Sequence, residues 1–174
     1  MTRNTLFSLV IVALVVCARI QAQGAPPGQP AAPRPMGIDV ATAKRMVAAA
    51  EAAAMSLNAR VGIAVVDVNG DLVYFERIDG AAARAVLSSQ GKARAALMFG
   101  IPSKQIGEAI AAGRPLTATI TSPGQMVSEI TPAQGGLPIM KDGKLIAAIG
   151  VGGSTAAQDE QIAQAGLDAA FPAR

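Results

Sequence analysis

The sequence contains no histidine, and its single cysteine, Cys17, lies near the N-terminus. Without histidine the chain cannot form a Ser-His-Asp triad, a Cys-His nucleophile pair or a histidine-ligated haem. A zinc site built from nitrogen and sulfur ligands is excluded on the same grounds. The chemistry left to the chain rests on carboxylates, lysine, arginine, hydroxyls, tyrosine, methionine thioethers and backbone dipoles. Aromatic residues make up only 3% of the chain, which favours closely approaching helices over a core of large rings.

Residues 1–22 have the pattern of a secretory signal peptide. A positive charge at Arg3 precedes an apolar run of about a dozen residues, and small or polar residues follow, with Ala22 suited to cleavage. The run is shorter than the roughly twenty residues that a membrane-spanning helix needs. We therefore expect a periplasmic or secreted protein. A lipoprotein interpretation around Cys17 is disfavoured by bulky Val16 at a position that prefers a small residue.

The charge balance is close to neutral once this peptide is removed. The chain carries 15 Lys and Arg residues against 12 Asp and Glu, and the loss of Arg3 and Arg19 leaves 13 basic residues. Nucleic acid is not expected as a partner, because phosphate binding needs a clustered cationic face. A membrane partner is not expected after cleavage either. Residues 23–37 are rich in proline and predict a flexible leader, so 38–174 form the predicted domain.

Two β-hairpins are predicted from turn dipeptides that lie between apolar runs. Asp142-Gly143 suits a turn with positive φ at both central residues, and Asn69-Gly70 is a turn pair between two predicted strands. The strands predicted around these turns span residues 61–67 and 71–78, and 136–141 and 144–151.

Apolar residues at steps of three and four predict four helices. These run from an Asp39 cap to about residue 57, over 81–99, over 104–112 with Ser103 as the cap, and onward from a Thr155/Gln158 capping box. Residues 116–134 predict a strand or two, interrupted by prolines. The order of elements predicts an α+β domain with a largely antiparallel sheet and helices packed on it.

Six short motifs occur in a fixed order between about residues 38 and 171. They are Ala-Lys-Arg-x-x-x-Ala-Ala-Glu at 43–51, Val-Val-Asp-x-Asn-Gly at 65–70 with Arg-x-Asp-Gly at 77–80, Ser-x-x-Lys-Ala at 89–93 with Phe-Gly-x-Pro at 99–102, Gly-Gly-x-Pro-Ile at 135–139, Ala-Ile-Gly-Val-x-Gly at 148–153, and Asp-Glu-x-x-Ala-x-Ala-Gly at 159–166. Together they make the sequence resemble the GlcG/HbpS family of haem-binding-like proteins, which is similar to the C-terminal domain of PduO-type proteins.

The resemblance implies a profilin-like fold with a five-stranded, mainly antiparallel sheet, assembly into dimers or larger homo-oligomers, and haem as a ligand of some members. It also implies a ligand-binding set near Lys92 and Gly135-Gly136. This set comprises Arg77, Lys92, Phe99, Gly135, Gly136 and Pro138, with Arg77 and Lys92 as partners for propionates. Because histidine is missing, haem would need a Met, Tyr, Lys or hydroxyl ligand, or would bind without a strong axial ligand. The candidate soft ligands are Met46, Met55, Met98 and Met126, and Met46 and Met98 are the two candidates for metal binding.

Each candidate also has a purely structural interpretation. Lys92 fits an exposed helical lysine, Arg77 and Asp79 fit a surface ion pair, and methionines at helical spacing usually fill the core. Gly135-Gly136 fits either a β-bulge or a close approach of ligand to backbone. The glycines at 150–153 could seat a phosphate or carboxylate on free backbone N–H groups, but a tight turn from strand to helix is favoured. They do not form a dinucleotide loop, because the G-x-G-x-x-G spacing fails.

No pair of carboxylates has a spacing that indicates acid–base catalysis, so no catalytic residue is predicted. The sequence therefore favours an exported, non-enzymatic binding protein whose ligand is haem or another tetrapyrrole. An enzyme or enzyme accessory acting on a small organic acid or corrinoid stays open, and so does a structural homo-oligomer.

Overall fold

The structure is a computed structural model, and it describes residues 37–117 and 130–172. The elements in chain order are α1 (Val40–Ser56), β1 (Gly62–Asp67), β2 (Leu72–Arg77), α2 (Ala83–Phe99), α3 (Ser103–Ala111), β3 (Gly136–Lys141), β4 (Lys144–Gly152) and α4 (Ala156–Ala170). The predicted α+β class is confirmed, and both hairpins form within one or two residues of their predicted bounds. No helix among these residues is both long and apolar enough to cross a membrane.

The four strands form one antiparallel sheet in the order β2-β1-β4-β3. In the second hairpin Asp142 and Gly143 have φ values of 50° and 74°, as the predicted turn requires. In the first, the Asp67 carboxylate accepts hydrogen bonds from the backbone N–H groups of Asn69 at 2.8 Å and Asp71 at 3.1 Å. Each turn is therefore closed by its own local chemistry.

Helices α1 and α4 cover one face of the sheet, and α2 covers the other. Alternation along β4 sends Ala147, Ile149 and Val151 toward α1 and α4, while Ala148 packs against α2 with Ala93 and its neighbours. Asp39 begins α1, as predicted, by accepting the Thr42 N–H at 2.7 Å. The sheet is thus the middle of three layers, with a core on each side.

Glycines on the α2 face of the sheet bring this helix unusually close to the strands. A Cβ atom on Gly150 would collide with the carbonyl oxygen of Ser89, and one on Gly152 would lie 2.6 Å from the Ser88 hydroxyl. Gly150 lies within the predicted strand, and Gly152 extends β4 one residue beyond the predicted end at 151. Their role is to admit the helix backbone.

Three further expectations need correction. The described residues contain four strands rather than five, and most of the segment predicted to add a strand, residues 118–129, lies outside them. The described part of that segment bonds to helices instead: Thr131 donates its N–H to the Gly91 carbonyl at 3.0 Å. Ser103 is the first residue of α3 and does not cap it. The sheet irregularities lie at Val65/Val66 and Ile139/Met140, so the predicted bulge at Gly135-Gly136 does not form.

Candidate functional site

A buried ion pair joins Lys92 of α2 to Asp159 of α4. The Lys92 Nζ and Asp159 Oδ2 atoms are 2.7 Å apart, and the two side chains are only 5% and 3% exposed. Pairing of this kind offsets the high cost of removing two charges from water. The structural interpretation of Lys92 as an exposed helical lysine was therefore wrong.

Gly135 fits between the two charged side chains, just before β3. A Cβ atom at this position would lie 2.8 Å from the Cβ of Asp159 and 3.1 Å from Lys92 Nζ. The φ value of 121° is also one that residues with a side chain rarely adopt. Glycine is required here because the backbone itself occupies the space beside the ion pair.

Ser103 fixes the same backbone segment from α3. Its hydroxyl donates to the Ala133 carbonyl at 2.6 Å and accepts the Gly136 N–H at 2.8 Å. Gly136 lies directly against the Lys92 carbonyl, where a Cβ atom would collide. Lys92, Asp159, Ser103, Gly135 and Gly136 therefore form one interlocked group, the Lys92 cluster.

The N-terminal turn of α4 completes the surroundings of this cluster. Asp159 Oδ1 accepts the Ser154 N–H at 3.0 Å, and the Ser154 and Thr155 hydroxyls both donate to Gln158 Oε1. The next residue, Glu160, accepts from the Gln134 amide at 3.0 Å through Oε1, while its Oε2 is buried without a donor. Asp159 is thus held by hydrogen bonds at both of its oxygen atoms.

The structure separates the remaining predicted site residues from this cluster. Phe99 is half-buried two turns further along α2, about 10 Å from Lys92 along the helix axis. Arg77 is exposed at the end of β2, where it pairs with Gly62 near the opposite end of α2. Pro138 is half-buried on the edge strand β3, where its missing N–H costs no ladder hydrogen bond.

The methionine candidates have different environments. Met46 is fully buried in the core formed by α1, α4 and the sheet, so only unfolding of that core would let it reach a ligand. Met98 is half-buried next to Phe99, and Met55 is 55% exposed on α1. Met126 lies outside the described residues. Of the two methionines weighed for metal binding, only Met98 is near the surface.

The two clearest pKa changes lie away from the Lys92 cluster. Burial raises the pKa of Glu76 on β2, and the nearby Glu51 carboxylate raises it further. Hydrogen bonds from Thr42 lower the pKa of the Asp39 carboxyl at the start of α1. Within residues 37–117 and 130–172, no group of three or more Cys, Asp or Glu side chains is arranged to hold a metal ion.

The chemistry that the Lys92 cluster supports is positioning. Its ammonium and carboxylate bind each other, and the surrounding backbone leaves no room for a substrate between them. Sequence reasoning found Lys92, Gly135 and Gly136 but missed Asp159 and Ser103 as their partners. The two ions are 67 residues apart in the chain, and Asp159 in a first helical turn already had a sufficient explanation in the helix dipole.

A family model described as haem degrading protein HbpS-like matches residues 38–168. An uncharacterised 15.0 kDa protein of the dhaT-dhaS intergenic region of Citrobacter freundii is 34% identical over 131 residues, which cover 75% of this chain and 90% of that protein. Protein GlcG of Escherichia coli is 39% identical over 109 residues, covering 63% of this chain and 76% of GlcG.

Solved structures show the same architecture. Klebsiella pneumoniae ORFY is similar with a TM-score of 0.68 and 29% identity, covering 84% of this chain and 99% of ORFY. A double mutant of Streptomyces reticuli HbpS gives a TM-score of 0.66 at 26% identity, covering 84% and 97% of the two chains. A haem complex of PduOC gives 0.67 at 22% identity, covering 76% and 94%, and this likeness shows the fold alone.

Proposed function

The chain belongs to the HbpS-like family, and from this premise we propose that it is an exported protein that binds haem or another tetrapyrrole without histidine ligation. The observation that carries the proposal is the family match over residues 38–168. The family's description suggests haem as the ligand class. Because none of the 174 residues is histidine, the proposed binding takes place without a histidine ligand to the iron.

The proposal places a tetrapyrrole on the α2 side of the sheet, held mainly through its apolar face. Phe99 and Pro138 are half-buried on the side of the sheet that carries α2, so each can offer apolar surface. Met98, beside Phe99, is the predicted thioether ligand that a macrocycle on this surface could approach. When bound, haem would supply the iron centre, and the chain would supply orientation and exclusion of water.

The Lys92 cluster supports this surface without contacting the ligand in the proposal. In this proposal Lys92, which is paired with Asp159, does not serve as the propionate partner that the resemblance implied. Arg77 is exposed and carries its charge at the far end of α2 from Phe99. A propionate contact to Arg77 therefore stays a prediction that a variant must test.

A haemin titration followed by the Soret band tests the proposal. We expect a saturable shift that weakens in Phe99→Ala and changes wavelength in Met98→Leu. Met46→Leu is the matched control, because its thioether is sealed in the core and its replacement should leave the spectrum unchanged. Absence of a saturable shift, or equal effects of the two methionine variants, would contradict the proposed surface.

Export is tested separately by N-terminal sequencing of the protein recovered from outside the cytoplasm. Cleavage after Ala22 predicts a mature chain that begins at Gln23. Recovery of an uncleaved chain in the cytoplasm would remove the exported part of the proposal and leave the binding part intact. Light scattering on the mature protein tests the predicted homo-oligomer in the same preparation.

Haem degradation is a second candidate function, because the matching family is described as haem degrading. Haemin incubated with the protein, oxygen and ascorbate would then lose its Soret band faster than haemin with ascorbate alone. Saturable binding without accelerated loss would favour the binding function over the enzymatic one.

A further inference from the structure

A cavity of about 710 Å³ opens on the side of the sheet opposite to α2. It is formed by the start of α1, the β3–β4 hairpin and the C-terminal end of α4. The lining residues that matter here are Ile38, Asp39, Arg45, Lys141, Ile146 and Phe171. Its volume lies within the range of small-molecule sites, and no residue of the Lys92 cluster lines it.

Two cationic side chains give this cavity its hydrogen-bond donors. Arg45 donates to the Thr42 hydroxyl at 2.9 Å, and that hydroxyl donates to the Asp39 carboxylate at 3.0 Å, so the guanidinium is oriented by its neighbours. Lys141, at the end of β3, also lines the cavity. Neither cation forms an ion pair within the part of the chain that the structure describes.

The two acidic side chains of the cavity, Asp39 and Asp142, form no ion pair with Arg45 or Lys141 among the described residues. Both oxygens of Asp39 already accept hydrogen bonds from Thr42, which lower the pKa of its carboxyl. Asp142 is exposed at the tip of the hairpin, where its φ value of 50° serves the turn. The cavity is therefore lined by two cations and two carboxylates, and the Arg45 and Lys141 donors, which form no ion pair among the described residues, are available to an anionic acceptor.

The other part of the wall is apolar. Ile38 is only 4% exposed and belongs to the core, while Ile146 and Phe171 are half-buried and pack against that core. Contact with a ligand would remove more of this apolar surface from water, which is favourable in proportion to the area buried. Cationic donors beside an apolar wall suit a ligand that carries an anionic group on an apolar body.

We propose that this cavity binds a small amphipathic carboxylate, with the carboxylate group held by Arg45 and Lys141 and the apolar body placed against Ile38, Ile146 and Phe171. This is a second site, on the other side of the sheet from Phe99 and Pro138. It goes beyond the proposed tetrapyrrole function and does not depend on it.

The experiment compares octanoate, octanamide and octylamine as probes of the purified protein labelled with ¹³C in its isoleucine methyl groups. Octanoate should shift the Ile38 and Ile146 resonances in a saturable manner and leave Ile106 of α3 unchanged. Octanamide, which lacks the charge, should bind at least about tenfold more weakly, as expected when a charge-assisted pair is lost. Octylamine binding as tight as octanoate would overturn the assignment.

Matched variants separate a specific contact from a general effect of charge. The double variant Arg45→Gln/Lys141→Gln removes both cavity cations. Lys44→Gln/Lys144→Gln removes the same charge from α1 and from the same β3–β4 hairpin, at residues that do not line the cavity. Octanoate affinity should fall about tenfold or more in the first and stay within about twofold in the second. Equal losses in the two, or no isoleucine shift in the unmodified protein, would overturn the site. Haemin titrations of the same variants report on the tetrapyrrole site independently.

Discussion

Lys92 and Asp159 form an ion pair of 2.7 Å that ties the helix on one face of the sheet to a helix on the other. Gly135 passes beside this pair, and Ser103 holds the backbone on either side of it. The segment that leads into β3 is therefore fixed by contacts from α2, α3 and α4 together. We expect this arrangement to dominate the stability of the α2 face.

Replacing Lys92 by methionine should lower the free energy of unfolding by about 3–5 kcal/mol, because Asp159 is left buried without its counter-ion. The double variant Lys92→Met/Asp159→Leu should lose less than the single one, since no lone charge remains. Urea unfolding of all four combinations measures the coupling. The exposed pair Lys104–Glu108, at 4.0 Å, is the control, and Lys104→Met should cost no more than about 0.5 kcal/mol.

Gly135→Ala should destabilise the protein well beyond the same change at Gly143. Both residues have positive φ values, of 121° and 74°, so each substitution carries a backbone cost of about 1–2 kcal/mol. Only Gly135 also forces a Cβ atom against Asp159 and Lys92, which adds about 1–3 kcal/mol of overpacking. Equal midpoints of thermal unfolding for the two variants would show that Gly135 is not tightly enclosed.

Ser103→Ala should cost about 1–3 kcal/mol, because the Ala133 carbonyl and the buried Gly136 N–H both lose their partner. Ser56→Ala is the matched control, since the Ser56 hydroxyl is exposed and donates to the Ala53 carbonyl at 2.7 Å. Chemical unfolding of the two variants makes the comparison. A loss at Ser103 as small as that at Ser56 would argue against the bridging role of its hydroxyl.

Glu76→Gln should change how stability depends on pH. The folded-state pKa of Glu76 is raised above its ordinary value of 4.5, mainly by burial and then by Glu51. The protonated form is therefore favoured on folding, and this advantage is lost as the pH rises from 4.5 through the raised folded pKa. The glutamine variant should gain stability relative to the unmodified protein above that window and not below it. Unfolding midpoints at pH 4 and pH 7 give the measurement, and a gain of the same size at both would contradict the assignment.

The sequence predicted those parts of the fold that are determined by neighbouring residues. Asp142-Gly143 and Asn69-Gly70 each carry the backbone preference of their own turn, and Asp39 and Thr155 each cap the helix that follows. Ser103 has the residue type of a cap but forms a bridge to Gly136, 33 residues away. Local preference alone could not distinguish these two roles.

The candidate site was predictable only in part, because its contacts join residues that lie far apart in the chain. The motif residues identified Lys92 and Gly135-Gly136, and the structure brings these together. Arg77 stays near the opposite end of α2 from Phe99. It is also far from Gly136 and Pro138 of β3, because β2 and β3 are opposite edges of the sheet, about 14 Å apart at ordinary strand spacing. The close approach of the α2 backbone to Gly150 depends on how α2 crosses the sheet, and the spacing of residues in the sequence does not predict that crossing.

The affinity of the protein for haemin, compared with that for iron-free protoporphyrin IX, tests the central claim most directly. If the chain, which has no histidine, holds the ligand by its macrocycle, haemin and protoporphyrin IX should both bind saturably. Their dissociation constants should then lie within about tenfold of each other, a difference of about 1.4 kcal/mol in binding free energy. Haemin binding that is far tighter than protoporphyrin binding would show that iron ligation carries the affinity. Failure of both to bind would contradict the tetrapyrrole function itself.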